Sequence, residues 1–389
     1  MNFYISKVIS TIVIITISWG GLNFFGNPWL LISILASFPL ILPMIFSQRL
    51  YLSIVDLIFL LFFITLIISG IQYPNEKTLN YLLAWIIGFF FYQYRIPIFI
   101  SYRFDPNSLD KVIALGAIII AFISIIEQIL YFSTGYIVFF DLPRFDYDHA
   151  NYMGLFYRSY AFSNEPSNLA YYLLLTIPFA IKAFGKFSVI FLIIGIMPSF
   201  SASGFALGFL GLSCVALFES FNKRGIKLFL YPLLSLISIS TILILAYQIE
   251  IFSTIFDKLL FSSSNVSASL RLSRIFESTE VFISNPLLGL GPGYWSANFG
   301  VSPNNIYLLI LTEGGLLAFL LFLIFLFGLC FSDGRRLLPI SSTQIYLIVV
   351  GLGFGFFTGV SFSLIGVFFI TLYNVSRAVP ETMILKSQK

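Results

Sequence analysis

Apolar residues come in long blocks separated by short polar stretches, from FYISKVISTIVIITISW near one end to LIGVFFITLYNV near the other. As helix, each residue rises about 1.5 Å, so about 20 of them cross roughly 30 Å of hydrocarbon. Twelve such spans are predicted, near 5–23, 29–46, 51–71, 79–97, 112–139, 168–184, 187–200, 203–219, 228–247, 304–329, 343–359 and 361–376. They are read as helices because lipid offers no partner to an exposed backbone amide. The seventh is short enough to pack as a buried or tilted helix, and the fifth is long enough to hold a kink. The first runs to Trp19 without a small-residue cleavage site, so it is expected to be retained as a span. The expectation is an all-α polytopic membrane protein with about 12 transmembrane helices, residues 1–389 forming a single integral membrane domain.

Composition agrees. Of 389 residues, 59% are hydrophobic and 10% charged, where a soluble domain carries about 25% charged, and mean hydropathy is +0.97. Cys214 and Cys330 fall in separate apolar blocks, which excludes a disulfide scaffold. The net charge of +4 is spread out and leaves no nucleic-acid footprint. With both termini cytoplasmic, six of the 21 Lys and Arg fall outside: Lys77, Arg144, Arg158, Lys258, Arg271 and Arg274. That skew is what the positive-inside rule requires of short loops.

This topology puts two long segments, about 140–167 and 248–303, on the same outer face. Inner loops are short and no GxxxxGK[ST] stretch occurs, so cytoplasmic nucleotide hydrolysis is excluded. The first outer loop, DLPRFDYDHANYMGLFYRSYAFSNEPS, carries Asp141, Arg144, Asp146, Asp148, His149, Arg158 and Glu165. Pro166 suits the first position of a helix, with Ser163, Asn164 or Glu165 as its cap. A carboxylate there complements the helix dipole, and it also suits proton abstraction from a sugar hydroxyl at the membrane surface. His149 is the only histidine, so an HExxH-type zinc site is excluded.

In the second loop, SASLRLSRIFESTEVFISNPLLGLGPGYW opens with a helical period. Leu272, Ile275, Phe276, Thr279, Phe282 and Ile283 share one face, while Arg271, Arg274 and Ser278 share another. Such a helix can lie on the bilayer with its arginines toward headgroups or toward a cavity. There guanidinium groups would match phosphate oxygens with paired hydrogen bonds. The glycines of GLGPG allow either close anion approach or a tight turn. Asn304 and Asn305 are placed to cap the tenth span and to expose its positive helix end. Glu313 lies two turns deeper, where a carboxylate must face protein or water; it and the equally intramembrane Asp56 and Glu127 are read as bridging helices.

Taken together, RSYAFSNEPSNLA resembles the Arg-x-x-(Gly)-x-Phe-x-Glu-Pro segment of bacterial O-antigen and exopolysaccharide repeat-unit polymerases (Wzy). PSFSASGFALGF, followed by NPLLGLGPGYW and NNIYLLILTEGG, is similar to the wider O-antigen ligase/polymerase family. Tyr160 stands where the first motif often has glycine. Asn304-Asn305 stand where the ligase branch often has histidine, which favours polymerase over ligase.

The resemblance implies a GT-C-like glycosyltransferase bundle with two large periplasmic loops in the bacterial inner membrane. It also implies transfer of a growing glycan from undecaprenyl diphosphate to the end sugar of an incoming lipid-linked repeat unit. Neither a cofactor nor a metal is implied; the partners are undecaprenyl-diphosphate-linked oligosaccharides, membrane lipids and a chain-length-regulating co-polymerase of the Wzz type. Arg158 and Arg271 would stabilise the leaving diphosphate and Glu165 would serve the acceptor hydroxyl. Arg274, His149, Tyr160, Tyr294, Trp295, Asn304, Asn305 and Glu313 complete the candidate binding set, the aromatics by stacking on sugars. The competing readings are an O-antigen ligase and a flippase or transporter. A transporter would be expected to show paired halves with broken helices at mid-membrane.

Overall fold

The computed structural model describes residues 3–17, 23–24, 27–28, 53–135, 152–153, 156–163, 165–222, 266–300, 302–303, 305–332, 338–357 and 365–378. The spans predicted at 29–46 and 228–247, and most of the first outer loop with His149, lie outside these residues, as does Asn304. The described chain is almost entirely helical. Its strands are two ladders of two residues a side, Asn23–Phe24 with Asn27–Pro28 and Tyr152–Met153 with Phe156–Tyr157.

The helices are α1 (Phe3–Thr16), α2 (Ile54–Gln72), α3 (Thr78–Ser101), α4 (Pro106–Thr134), α5 (Pro166–Phe184), α6 (Phe187–Ile196), α7 (Ala202–Asn222), α8 (Val266–Ser284), α9 (Tyr294–Phe299), α10 (Ile306–Phe331), α11 (Ser342–Gly353) and α12 (Ile365–Ala378). Among the described residues, six stretches are long and apolar enough to cross a membrane: α2, α3, α4, α5, Ala202–Glu219 of α7, and α10. Their starts are written locally. Ser53 and Asp56 form a capping box, as do Ser341 and Gln344; Asp105 caps α4 ahead of Pro106, and Asn305 caps α10.

The first predicted span is helix over Phe3–Thr16; residues 18–22 of it lie outside the described residues. The fifth predicted span runs unbroken as α4 and ends on Gly135 in the left-handed region, φ 68°. The break sits in the tenth instead, at Gly315.

The chain forms two compact units. The first holds α1 and α4 to α7. At its centre is α5, buried at every position from Leu169 to Ala180, as a helix apolar all round should be; α4, α6 and α7 pack on it. The second unit holds α2, α3 and α8 to α12. There Ala84–Arg95 of α3 winds as π-helix, an uncommon run. Its Trp85 and Phe89 join Phe59 and Phe62 of α2 and Phe322 and Phe325 of α10 in a fully buried aromatic cluster, with ring centroids 5.1–6.0 Å apart across the Phe59–Phe89, Phe62–Trp85 and Trp85–Phe322 pairs. The opposite stripe of α2, with Leu57, Leu61, Ile64 and Ile68, is exposed and has the composition of a lipid-facing surface.

Candidate functional site

In the first unit, Arg158 and Glu165 flank a turn that leads into α5. The turn is fastened on two sides. The Ser159 amide donates to the Pro198 carbonyl (2.8 Å) and Arg158 Nε to the Ser199 carbonyl (3.2 Å). From α4, one carboxylate oxygen of Glu127 accepts the Ser159 hydroxyl and the amides of Tyr160 (3.2 Å) and Ala161 (2.8 Å). Glu127 is only 1% exposed. Ala161 has φ +47°, a left-handed conformation that costs a non-glycine residue about 1–2 kcal/mol; the Glu127 bonds hold it there. Arg158 comes out half-buried and Glu165 exposed. Glu165 occupies the cap position of α5, yet its carboxylate bonds no helix amide and accepts the Ser167 hydroxyl instead (2.9 Å).

In the second unit, α8 shows which way its two faces point. Leu272, Phe276 and Ile283 on the apolar face are 39%, 63% and 68% exposed, whereas Ser278 on the cationic face is 1% exposed. Arg271 and Arg274 beside it are half-buried, and Arg274 Nη1 donates to the Ser302 carbonyl (2.6 Å). The arginine face therefore turns toward protein and the oily face away from it. The Ser278 hydroxyl has no hydrogen-bond partner among the described residues.

After α8 the chain packs into a break in α10. Gly315 breaks α10 at φ 71°, ψ −175°, and the segment Pro286–Gly291 fills the break. Leu316 and Leu317 amides donate to the Pro286 and Leu287 carbonyls, while Leu290 and Gly291 amides donate to Thr312 and Glu313 carbonyls, at 2.8–3.4 Å. Every polar group so freed inside a span needs a protein partner. A β-carbon at Gly315 would sit on the Leu287 carbonyl, and one at Gly291 on the Tyr73 carbonyl. The GLGPG amides are thus spent within the fold, which resolves the two readings of that stretch in favour of tight packing. Glu313, about 10 Å along α10 from its start, accepts the Trp295 amide (3.2 Å) and so holds the start of α9.

Several candidate residues change role. Trp295 is fully buried, its Nε1 donating to Thr312 (2.9 Å) and its ring packed on Phe299 at 4.7 Å. Tyr160 is 5% exposed and packs with Tyr157. Neither presents a face for a sugar; Tyr294 is half-buried and remains accessible. Asn305 accepts the Tyr307 and Leu308 amides (3.0 and 3.1 Å), so it occupies the α10 end rather than opening it to an anion. Asp56, read only as a helix bridge, is paired with Arg95 (2.8 Å) in the protein interior. Glu127 is the residue whose role the sequence did not expose; its one signal was a carboxylate placed within an apolar block. Arg158 and Glu165 belong to one unit, Arg271, Arg274 and Glu313 to the other. Neither a protein-family model nor a curated protein matches the chain.

Proposed function

We propose that the chain is a membrane glycosyltransferase of the O-antigen polymerase type: a GT-C-like bundle of about twelve spans, with both termini cytoplasmic, acting on the periplasmic face of the bacterial inner membrane. The observation that carries this reading is α8, whose cationic face is turned to the protein while its oily face is exposed. A helix so oriented keeps guanidinium groups at headgroup depth beside a lipid-facing surface, where a prenyl diphosphate presents its charge.

The reaction breaks the bond between the anomeric carbon of the growing glycan and the diphosphate oxygen, and forms a bond from that carbon to an acceptor hydroxyl. The leaving diphosphate gains negative charge, which guanidinium groups stabilise more than they stabilise the intact donor; Arg158 is the candidate in the first unit, Arg271 and then Arg274 in the second. The hydroxyl proton passes to a carboxylate, for which Glu165, exposed at the turn that carries Arg158, is the candidate. Asn304-Asn305 standing where a ligase often has histidine favours polymerisation over ligation.

The test is genetic. In the bacterium carrying this gene, deletion should collapse long surface glycan to single repeats, and Arg274→Ala or Arg158→Ala should do the same with the protein still inserted. Long chains in the deletion strain would refute the reading. Complete loss of attached glycan would make the protein a ligase.

A further inference from the structure

We propose that Glu127, from inside α4, positions Arg158 for the transfer reaction by fixing the Arg158–Ala161 turn. This inference rests on the polymerase reading of Arg158. The geometry is specific. A single carboxylate oxygen collects one hydroxyl and two consecutive amides from the residues directly after Arg158. The same turn is tied on its far side through Ser159 and Arg158 itself to the carbonyls of Pro198 and Ser199. Arg158 is therefore clamped between two elements of one unit, with a left-handed Ala161 at the pivot. Three donors converge on one acceptor oxygen here, at 1% exposure.

A residue buried in an apolar helix would be replaceable by leucine if helix packing were its task. What the burial achieves instead is a fixed backbone two to three residues long. Glutamine keeps one acceptor oxygen for these donors and replaces the other with an NH₂ group. Alanine leaves the Tyr160 and Ala161 amides and the Ser159 hydroxyl without that acceptor, and Ala161 without a reason to stay left-handed.

Glu127 does not touch the reacting atoms in this scheme, so its signature is kinetic. With purified protein and a lipid-linked repeat unit, Glu127→Ala should lower kcat per folded molecule roughly 10²-fold, the scale of a misplaced group, with KM little changed. Glu127→Gln should fall between it and wild type. The Glu127→Ala/Arg158→Ala double variant should be no slower than Arg158→Ala alone, because both act as one unit. Hydrogen exchange should speed up in peptides covering 158–163 of Glu127→Ala while peptides within α5 keep their protection.

A Glu127→Ala protein with wild-type kcat, or a double variant whose losses multiply, overturns the inference. So does unchanged exchange at 158–163. A wild type that makes no polymer defeats the polymerase reading instead; the exchange comparison then decides by itself whether Glu127 fixes the turn.

Discussion

Asp56, Glu127 and Glu313 are carboxylates inside helices that lipid would reject, and each has protein partners. Asp56 accepts the Ser53 amide (2.6 Å) and hydroxyl (2.8 Å) while paired with Arg95, whose guanidinium lies 5.5 Å from the Phe90 ring centroid. Glu127 and Glu313 instead hold backbone amides of turning segments. The Asp56–Arg95 pair yields a direct expectation. Removing one partner leaves a buried charge uncompensated and costs about 3–5 kcal/mol, whereas replacing both with apolar residues of similar size is close to neutral. Arg95→Ala should thus lower the melting temperature of the detergent-solubilised protein sharply, and Asp56→Leu/Arg95→Met should recover most of the loss. Equal melting of the single and double variants would mean that the pair is not isolated from water. Arg274→Ala, by contrast, should cost roughly 10²–10³ in turnover, as loss of a preorganised donor does, with little effect on melting.

At the scale of elements, the sequence made α8 legible in period but not in direction. Its two faces follow from 3.6-residue spacing, but a chain in lipid inverts the usual inference that the apolar face looks inward. The structure's exposed Phe276 and buried Ser278 decide it. The break in α10 was legible only in part. Glu313-Gly314-Gly315 in a span is a conspicuous triplet, yet nothing local says which segment fills the gap, because Pro286–Gly291 reaches it through tertiary bonds. The packing predicts its own test: Gly315→Ala forces a side chain onto the Leu287 carbonyl in a left-handed conformation. Overpacking of this kind costs about 1–3 kcal/mol. Thermal melts should show that loss for Gly315→Ala, while alanine at open Gly300, which is also left-handed, should cost less. An unperturbed Gly315→Ala protein would contradict this arrangement.

Over the whole molecule, hydropathy located well the six helices of the described residues that are long and apolar enough to cross a membrane, within a few residues at most ends, because capping and proline signals flank them. It did not show where a helix would break: α4, the longest, runs whole to Gly135, while α10 breaks at Gly315. Composition measures solubility in lipid, while helix length depends on where backbone bonding stops. Two compact units were likewise not legible, since contacts between residues far apart in sequence define them. Sidedness can be measured. A cysteine at exposed Asn298 should react with a membrane-impermeant maleimide in intact cells, and one at exposed Lys186 only after the membrane is opened. The reverse pattern would place α8 and α9 on the cytoplasmic side and leave periplasmic chemistry without a site.

The most direct trial of the glycan-transfer account uses purified protein in lipid nanodiscs with one undecaprenyl-diphosphate-linked repeat unit as sole substrate, and resolves the products by size. The account predicts a ladder spaced by one repeat, with free undecaprenyl diphosphate released at each step, and no ladder from Arg274→Ala. Substrate that stays a single repeat in the presence of folded wild-type protein contradicts it.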